Sequence, residues 1–162
     1  MPSRCSFGDS DMIEITRHGL NGLADAMGVM GRAFDPHFGE AWNAAQCTGV
    51  LAMPGAELLI ARGPDPLGFA LVRTVIDEAE LMLLAVLPEA RGKGIGRAIL
   101  KHSIDAATLA GATNYFLEVR SDNPAVALYQ QVGLEQVGTR RDYYRGSDGN
   151  RRDALTYRLS LS

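Results

Sequence analysis

The sequence predicts a single α+β domain, and three observations support this fold class. Short apolar segments of strand length recur along the chain, segments with a helical apolar face separate some of them, and no linker, repeat or low-complexity stretch divides the chain. The 162 residues are 46% hydrophobic and 22% charged, which is enough for one core. We therefore expect residues 1–162 to form one domain, with the polar residues 1–10 frayed.

The N-terminal third predicts one strand and two helices. Apolar and polar residues alternate at 13–15, as in a short strand. Residues 17–33 are compatible with a helix but contain four glycines, so we expect that helix to be weak or bent. Asp35-Pro36 ends it, and residues 40–51 predict the second helix.

Three consecutive strands are predicted next, since apolar β-type residues replace the helical pattern. They are residues 57–62, 67–76 and 80–86. The turn sequence GPDP separates the first two, and residues 77–79 form a tight connection into the third.

The second half of the chain alternates helices and strands. A helix starts near Gly94 and stops at Gly111, a favoured residue after a helix C-terminus, and residues 115–120 form the next strand. The segment SDNPA then predicts a capped helix start, with Asn123 as N-cap and Pro124 in the first turn. After this helix come two strands, near 134–144 and 154–161, around the hairpin sequence SDGN.

Composition excludes several classes of protein. The net charge of −3 and the pI near 5.6 argue against a nucleic-acid binder and mildly favour cationic partners. Two cysteines without metal-type spacing indicate a reducing compartment and no metal site. The N-terminus lacks the apolar region of a signal peptide, and the longest apolar run, 81–87, is too short to span a bilayer. We therefore expect a cytoplasmic protein that binds no membrane.

The segment RGKGIGRAIL, residues 91–100, joins an apolar strand to a helix. It fails as a Walker A loop because Arg97-Ala98 follows Gly96, and it fails as a dinucleotide fingerprint because its glycines are spaced G-x-G-x-G. Glycines, cations and a helix N-terminus together favour an anion-binding loop. The alternative is a plain glycine turn with solvated cations.

The segment AVLPEARGKGIGRAIL resembles the acetyl-coenzyme-A signature of the GNAT superfamily of N-acetyltransferases. A second segment, FLEVRSDNPAVALYQQVGLEQVGTRRDYY, is similar to the bacterial ribosomal-protein alanine N-acetyltransferases, one branch of that superfamily. Together the resemblance covers roughly residues 67–160. It implies a twisted, mixed and mostly antiparallel sheet that splays where the coenzyme enters and is flanked by about four helices.

The resemblance also implies which residues bind acetyl-CoA. The pyrophosphate would lie on the loop formed by Arg91, Gly92, Lys93, Gly94, Ile95, Gly96 and Arg97. The pantetheine arm would lie beside the strand residues Leu84, Ala85 and Val86, one of whose backbone N–H groups would polarise the thioester carbonyl. Asn123 would contact the coenzyme, although N-capping alone explains this asparagine equally well.

Two residues are candidates for proton transfer. In the resemblance Glu118 is the general base that deprotonates the amine; the alternative is an exposed strand carboxylate paired with Arg120 or with a cation of a neighbouring strand. Tyr129 matches the general acid that protonates the leaving thiolate; the alternative is a core tyrosine with a hydrogen-bonded hydroxyl.

The function that the resemblance implies is acetyl transfer from acetyl-CoA to a primary amine, by direct attack in a ternary complex. The favoured acceptor is a protein N-terminus, including that of a ribosomal protein. The segment AFDPHFGEAWNAAQC does not match that branch, so a small-molecule amine is the alternative acceptor. A non-catalytic acyl-CoA sensor is the alternative of a different class. Residues 142–152 either line the acceptor site or form a solvated edge, and the sequence does not predict an oligomeric state.

Overall fold

The computed structural model describes residues 3–7, 11–34 and 39–161. These residues form eight strands and four helices. The strands are β1 (Ser3–Phe7), β2 (Asp11–His18), β3 (Ala56–Arg62), β4 (Pro66–Val75), β5 (Glu78–Val86), β6 (Asn114–Arg120), β7 (Glu135–Arg145) and β8 (Arg151–Ser160). The helices are α1 (Leu23–Ala33), α2 (Ala44–Leu51), α3 (Ile95–Leu109) and α4 (Ala125–Val132).

All eight strands belong to one sheet, in the order β1-β2-β3-β4-β5-β6-β8-β7. Neighbouring strands are antiparallel except β5 and β6, which are parallel. The parallel pair is joined by α3, as a parallel connection requires a crossover. The prediction of an α+β fold with a mixed, mostly antiparallel sheet and four helices is confirmed.

The sheet is interrupted at its centre, between β5 and β6. Their pairing runs from Glu78 opposite Asn114 to Leu81 opposite Leu117 and then stops, although both strands continue. On its other side β5 has one extra residue, Met82, because Leu71 pairs with Leu83 while the next β4 residue pairs with Leu81. A bulge bends the strand that carries it, so β5 turns away from β6 where their pairing ends.

The helices cover both faces of the sheet. A Cβ atom at Gly22, next to α1, would touch the Ile60 side chain, and Ile60 pairs with Phe69. A Cβ atom at Gly68 would touch Ile99 of α3. Because consecutive strand residues point to opposite faces, α1 and α3 lie on opposite faces. Helix α2 packs on α1 and β3, and α4 packs on α3.

Several boundaries differ from those expected. Helix α2 begins at Ala44, not near residue 40, because Asn43 and Gln46 form a reciprocal capping box that fixes its start. Helix α1 begins at Leu23, because β2 extends to His18.

The N-terminus also differs where it is described. Strand β1 pairs with β2, whereas residues 1–10 were expected to fray. Residues 1–2 and 8–10 lie outside the described part, as does the predicted helix end at Asp35-Pro36.

One core fills the space between the sheet and its helices. Strands β3 and β4 supply fully buried side chains on both faces, including Leu59, Ile60, Phe69 and Leu71. Of the helices described, none is long and apolar enough to span a membrane.

Candidate active site

A cavity of about 330 Å³ opens where β5 and β6 part. It is lined by four residues that the sequence predicted for the site, namely Leu84, Glu118, Asn123 and Tyr129. It is also lined by polar and aromatic residues outside the predicted set, Phe34, Glu40, Trp42 and Glu80. Tyr143 and Tyr144, from the hairpin with two alternative predictions, line it as well. Residues from both halves of the chain therefore meet at the break in the sheet.

Glu118 reaches the cavity from β6, on the face that α1 covers. Tyr115 of the same strand bonds to Ser103 of α3, so odd-numbered residues of β6 point to α3 and Glu118 points to the opposite face. Its Oε2 atom lies 3.2 Å from Nε of Arg140 on β7, and 27% of its side chain is exposed. The cation beside Glu118 is thus Arg140 and not Arg120.

Glu80 is a second carboxylate in the cavity, and it is not among the residues predicted for the site. It pairs with Phe116 in the β5–β6 ladder, so it lies on the same face as Glu118, one diagonal step away. Desolvation and then the negative charge of Glu118 raise the pKa of Glu80, while the charge of Arg73 opposes them. The available signal was a charged residue at the start of the otherwise apolar run ELMLLAV.

Tyr129 approaches the cavity from α4, on the opposite face of the sheet from Glu118. Its ring is buried, with 6% of the residue exposed, yet its hydroxyl makes no hydrogen bond with another described residue. Burial, and then the negative charge of Glu40, raise the pKa of Tyr129 above its ordinary value, so the hydroxyl keeps its proton. A hydroxyl that packs only for structure would be bonded, as Tyr115 is to Ser103 at 2.7 Å.

An ion-pair network centred on the buried Arg120 holds one wall of the cavity together. Arg120, at the end of β6, pairs with Glu40 and with Asp122, and Arg152 of β8 reaches Asp122 at 3.0 Å. Although desolvation opposes it, hydrogen bonding from the two arginines lowers the pKa of Asp122. Arg120 is only 10% exposed, so this network ties the segment before α2 to the end of β6.

Asn123 lies between the two predicted roles. Helix α4 begins at Ala125, two residues after Asn123 and not at Pro124, and the Asn123 Oδ1 atom accepts a hydrogen bond from the Ala125 N–H at 2.9 Å. The N-cap is therefore Pro124 and not Asn123, which was the predicted cap. Asn123 precedes the cap, and its oxygen bonds the first N–H of the helix while the side chain lines the cavity. Its amide N–H₂ group remains available to donate to a ligand.

Aromatic side chains form the outer wall of the cavity. Strand β7 is irregular between Arg140 and Tyr144, where Asp142 has a φ of +54° and its N–H donates to Asp153 Oδ1. This irregularity presents Tyr143 and Tyr144 to the cavity, and their rings pack edge to face with centroids 5.2 Å apart.

Burial and then the charges of Glu118 and Glu40 raise the pKa of Tyr144 to about 12. Of the hairpin left open by the sequence, Tyr143 and Tyr144 belong to the site.

The glycine loop leads from β5 into α3. Gly92 and Gly94 have φ values of +78° and +79°, which L-residues with a Cβ rarely adopt. No side chain in the described part of the protein caps α3, so the first N–H groups of the helix can bind an anion, and the loop is largely exposed. Arg91 anchors the start of the loop to β5 and α1. Its guanidinium donates hydrogen bonds to the carbonyl oxygens of Val86 and Ala33, at 3.1 and 2.6 Å.

The predicted coenzyme residues thus fall into two groups. Leu84 and Asn123 line the cavity, while Ala85 and Val86 continue along β5 toward the loop. Beyond Leu81, the edge of β5 that faces β6 makes no strand pair within the described residues. An unpaired strand edge that ends at an uncapped helix fits an extended amide chain with a pyrophosphate at its end, as in acetyl-CoA. Among the described residues, no group of His, Cys, Asp or Glu side chains is arranged to hold a metal ion.

Comparison with known proteins agrees with this arrangement. The N-alpha-acetyltransferase RimI of Mycobacterium tuberculosis (strain ATCC 25618 / H37Rv) is 42% identical over 123 residues, which cover 72% of this chain and 74% of that protein. The [Ribosomal protein bS18]-alanine N-acetyltransferase of Escherichia coli (strain K12) is 42% identical over 95 residues, 58% of this chain. That match spans 64% of the length of the Escherichia coli relative.

A solved structure and a family profile extend the similarity to most of the chain. The crystal structure of the ribosomal-protein-S18-alanine N-acetyltransferase from Escherichia coli superposes with a TM-score of 0.84 at 31% identity, over 93% of this chain and 95% of that one. The profile of the acetyltransferase (GNAT) family matches residues 26–134, which include β5, the glycine loop, α3, β6 and α4. The chain therefore belongs to the GNAT family of acetyltransferases.

Proposed function

We propose that the protein is an acetyl-CoA-dependent N-acetyltransferase whose favoured acceptor is the α-amino group of a protein N-terminus. The observation that carries this proposal is the placement of Glu118 and Tyr129 at the break between β5 and β6. They reach one cavity from opposite faces of the sheet, one as a carboxylate and the other as a protonated hydroxyl that bonds to no described residue. Acetyl transfer to an amine requires a proton acceptor on one side of the thioester and a donor on the other.

The coenzyme would be held mainly by backbone. The uncapped N-terminus of α3 and the loop Gly92–Arg97 would bind its pyrophosphate, and the free edge of β5 at Leu84–Val86 would pair with the amides of its pantetheine arm. Acetyl-CoA supplies the activated acetyl group. A backbone N–H of β5 at the break would hydrogen-bond the thioester oxygen as negative charge develops there.

Glu118 would remove the proton that keeps the acceptor amine from attacking. An α-amino group has a pKa of about 7.7–8.0, so near neutral pH it is mostly protonated and must lose one proton before its nitrogen has a free electron pair. Glu118, directly or through one water, accepts that proton on its carboxylate. Glu80 on the same face stabilises the incoming ammonium, because the two carboxylates lie one diagonal step apart.

Tyr129 would act on the departing sulfur. The buried ring holds its hydroxyl at the cavity, and the hydroxyl makes no hydrogen bond with another described residue. It is therefore free to donate to the thiolate as the carbon–sulfur bond breaks, so that the thiol leaves with a proton. A sensor that only bound acyl-CoA would need neither this donor nor Glu118.

The acceptor assignment rests on the relatives and on the cavity wall. The Mycobacterium tuberculosis relative is described as an N-alpha-acetyltransferase, and the Escherichia coli relative as acting on an alanine of ribosomal protein bS18. In this chain, carboxylates at Glu40, Glu80 and Glu118 suit an ammonium, and aromatic rings at Trp42 and Tyr143 suit the peptide that follows it.

Thiol release from acetyl-CoA with a panel of amines tests the proposal. The panel contains short peptides that differ in their first residue, their N-acetylated forms, free amino acids and polyamines. We expect free N-terminal peptides to react with kcat/KM at least about tenfold above the small amines, and acetylated peptides without lysine not to react. A preference for a small amine would reassign the acceptor. Tight acetyl-CoA binding without turnover of any amine would favour the sensor.

A further inference from the structure

The cavity has more negative than positive side chains around the acceptor position. Glu40, Glu80 and Glu118 line it, and Glu40 is paired with Arg120 in the ion-pair network. Glu80 makes no hydrogen bond or ion pair with a described residue. Glu118 is accompanied by the guanidinium of Arg140, whose carbon also lies 5.2 Å from the centre of the Tyr143 ring.

The two arginines of the site differ in how firmly they are held. Arg120 is 10% exposed and is bonded to two carboxylates, so its removal would leave buried charge unpaired. Arg140 is 62% exposed and approaches Glu118 through one contact of 3.2 Å. Exposed single-contact pairs of this kind are weak and easily exchanged. Arg140 is therefore suited to leave Glu118 and remain on the face of Tyr143.

If the Arg140 guanidinium leaves Glu118, another cation has to take its place beside the carboxylates. Glu80 and Glu118 lie one diagonal step apart on neighbouring strands. Without Arg140, Glu118 would keep no ion-pair partner among the described residues, and the cation beside the two carboxylates would be Arg73, which stands opposite Glu80 on β4. Like charges at that spacing repel, and an incoming cation relieves the repulsion. The ammonium of the acceptor has the charge to do so, whereas a neutral amide does not.

We propose that Arg140 holds, in the free protein, the place that the acceptor's ammonium takes on Glu118. Acceptor binding is then an exchange of one cation for another at the catalytic carboxylate, and Arg140 is a specificity-determining residue that acts through Glu118. This inference rests on the proposed acetyltransferase function. Under this inference, only an acceptor with a positive charge displaces Arg140 from Glu118. A peptide without a free N-terminus therefore leaves Arg140 in place.

The test compares variants in their affinity for two peptides. One peptide begins with a free alanine and carries no other charge near its N-terminus; the other is its N-acetylated form. Binding is measured by calorimetry on the CoA-saturated protein, where no acetyl transfer occurs, and kcat is measured separately with acetyl-CoA. Arg140→Gln should bind the free peptide about three- to fivefold more tightly, since no cation has to be displaced.

Matched variants separate charge from position. Arg140→Lys keeps the charge and should bind the free peptide nearly as the wild type does. Arg141→Gln removes the same charge one residue along β7, where the side chain makes no hydrogen bond or ion pair with a described residue, and should change nothing. The acetylated peptide should bind weakly to all four proteins, with no gain in Arg140→Gln. High salt should shrink the difference between wild type and Arg140→Gln.

Three results would overturn the inference. Weaker binding of both peptides by Arg140→Gln would mean that Arg140 contacts the acceptor's backbone. Unchanged affinity would mean that its charge plays no part, and a tenfold fall in kcat at unchanged affinity would mean that it orients Glu118. A wild-type protein that acetylates none of the amines would refute the proposed function and the inference together. An active wild type with any of the three results refutes the inference alone.

Discussion

Replacing Tyr129 with phenylalanine tests the proposed acid directly, because this change deletes one oxygen and keeps the ring. The ring is buried, and its hydroxyl bonds to no other described residue. The deletion therefore removes no hydrogen bond to a described residue, and we expect the free energy of unfolding to change by less than about 0.5 kcal/mol. If the hydroxyl donates to the leaving sulfur, its contribution exists mainly in the transition state. Then kcat and kcat/KM should fall together by about 100-fold, or about 2.7 kcal/mol of activation free energy.

Tyr115→Phe provides the matched control in the same core. Its hydroxyl bonds to Ser103 Oγ at 2.7 Å in a fully buried position. We expect this variant to lose about 1 kcal/mol of stability and to keep wild-type kcat, the reverse of the Tyr129 result.

Urea unfolding and steady-state thiol release, measured on the same preparations, distinguish the two patterns. Acetyl-CoA affinity should be nearly unchanged in both variants. A Tyr129→Phe protein with normal kcat, or one that loses as much stability as Tyr115→Phe, would refute the assignment of Tyr129 as the acid.

Three further predictions concern the coenzyme loop, the base and a strained turn. Acetyl-CoA at roughly 100 times its dissociation constant should raise the free energy of unfolding by about 2.7 kcal/mol, and equal stabilisation by ATP would contradict the assignment of the loop. Glu118→Gln should lower kcat/KM by about 100-fold near neutral pH, with a smaller loss at high pH where the amine is already deprotonated; a loss independent of pH would indicate a structural role. Ile76 has a φ of +57° and is 89% exposed, so Ile76→Asn, which tolerates this backbone, should stabilise the protein by about 0.5–1 kcal/mol in urea unfolding. A loss of stability there would show that the isoleucine side chain makes a contact worth more than the backbone strain.

Local sequence signals predicted those parts of the fold that depend on neighbours in the chain. Helix α3 begins after Gly94 and ends before Gly111 because both glycines adopt left-handed backbone, and those features are visible in the sequence. Strand β1 was missed because a short polar strand is held by its partner β2 and not by its own pattern. The start of α2 depends on the reciprocal bonds of Asn43 and Gln46, and not on the apolar pattern that predicted a start near residue 40.

The candidate site was predictable only where a family motif covers it. Glu118 and Tyr129 fall in the resemblance, although their roles stay predictions until they are tested. The place of Glu40 in the site could not be predicted from local sequence, because its partner Arg120 lies 80 residues away in the chain. The presence of Glu80 beside Glu118 follows from the parallel register of β5 and β6, which no local pattern specifies.

The short parallel pairing of β5 and β6 also divides the sheet into two parts that meet along a narrow line. Strands β1–β5 form one half of the sheet and β6–β8 the other, and four residue pairs join them directly. A ligand bound between the unpaired parts of β5 and β6 would hold the two parts of the sheet together, since it bonds to one part and packs against the other. Amide hydrogen exchange near residues 82–86 and 118–120 would then slow when acetyl-CoA binds.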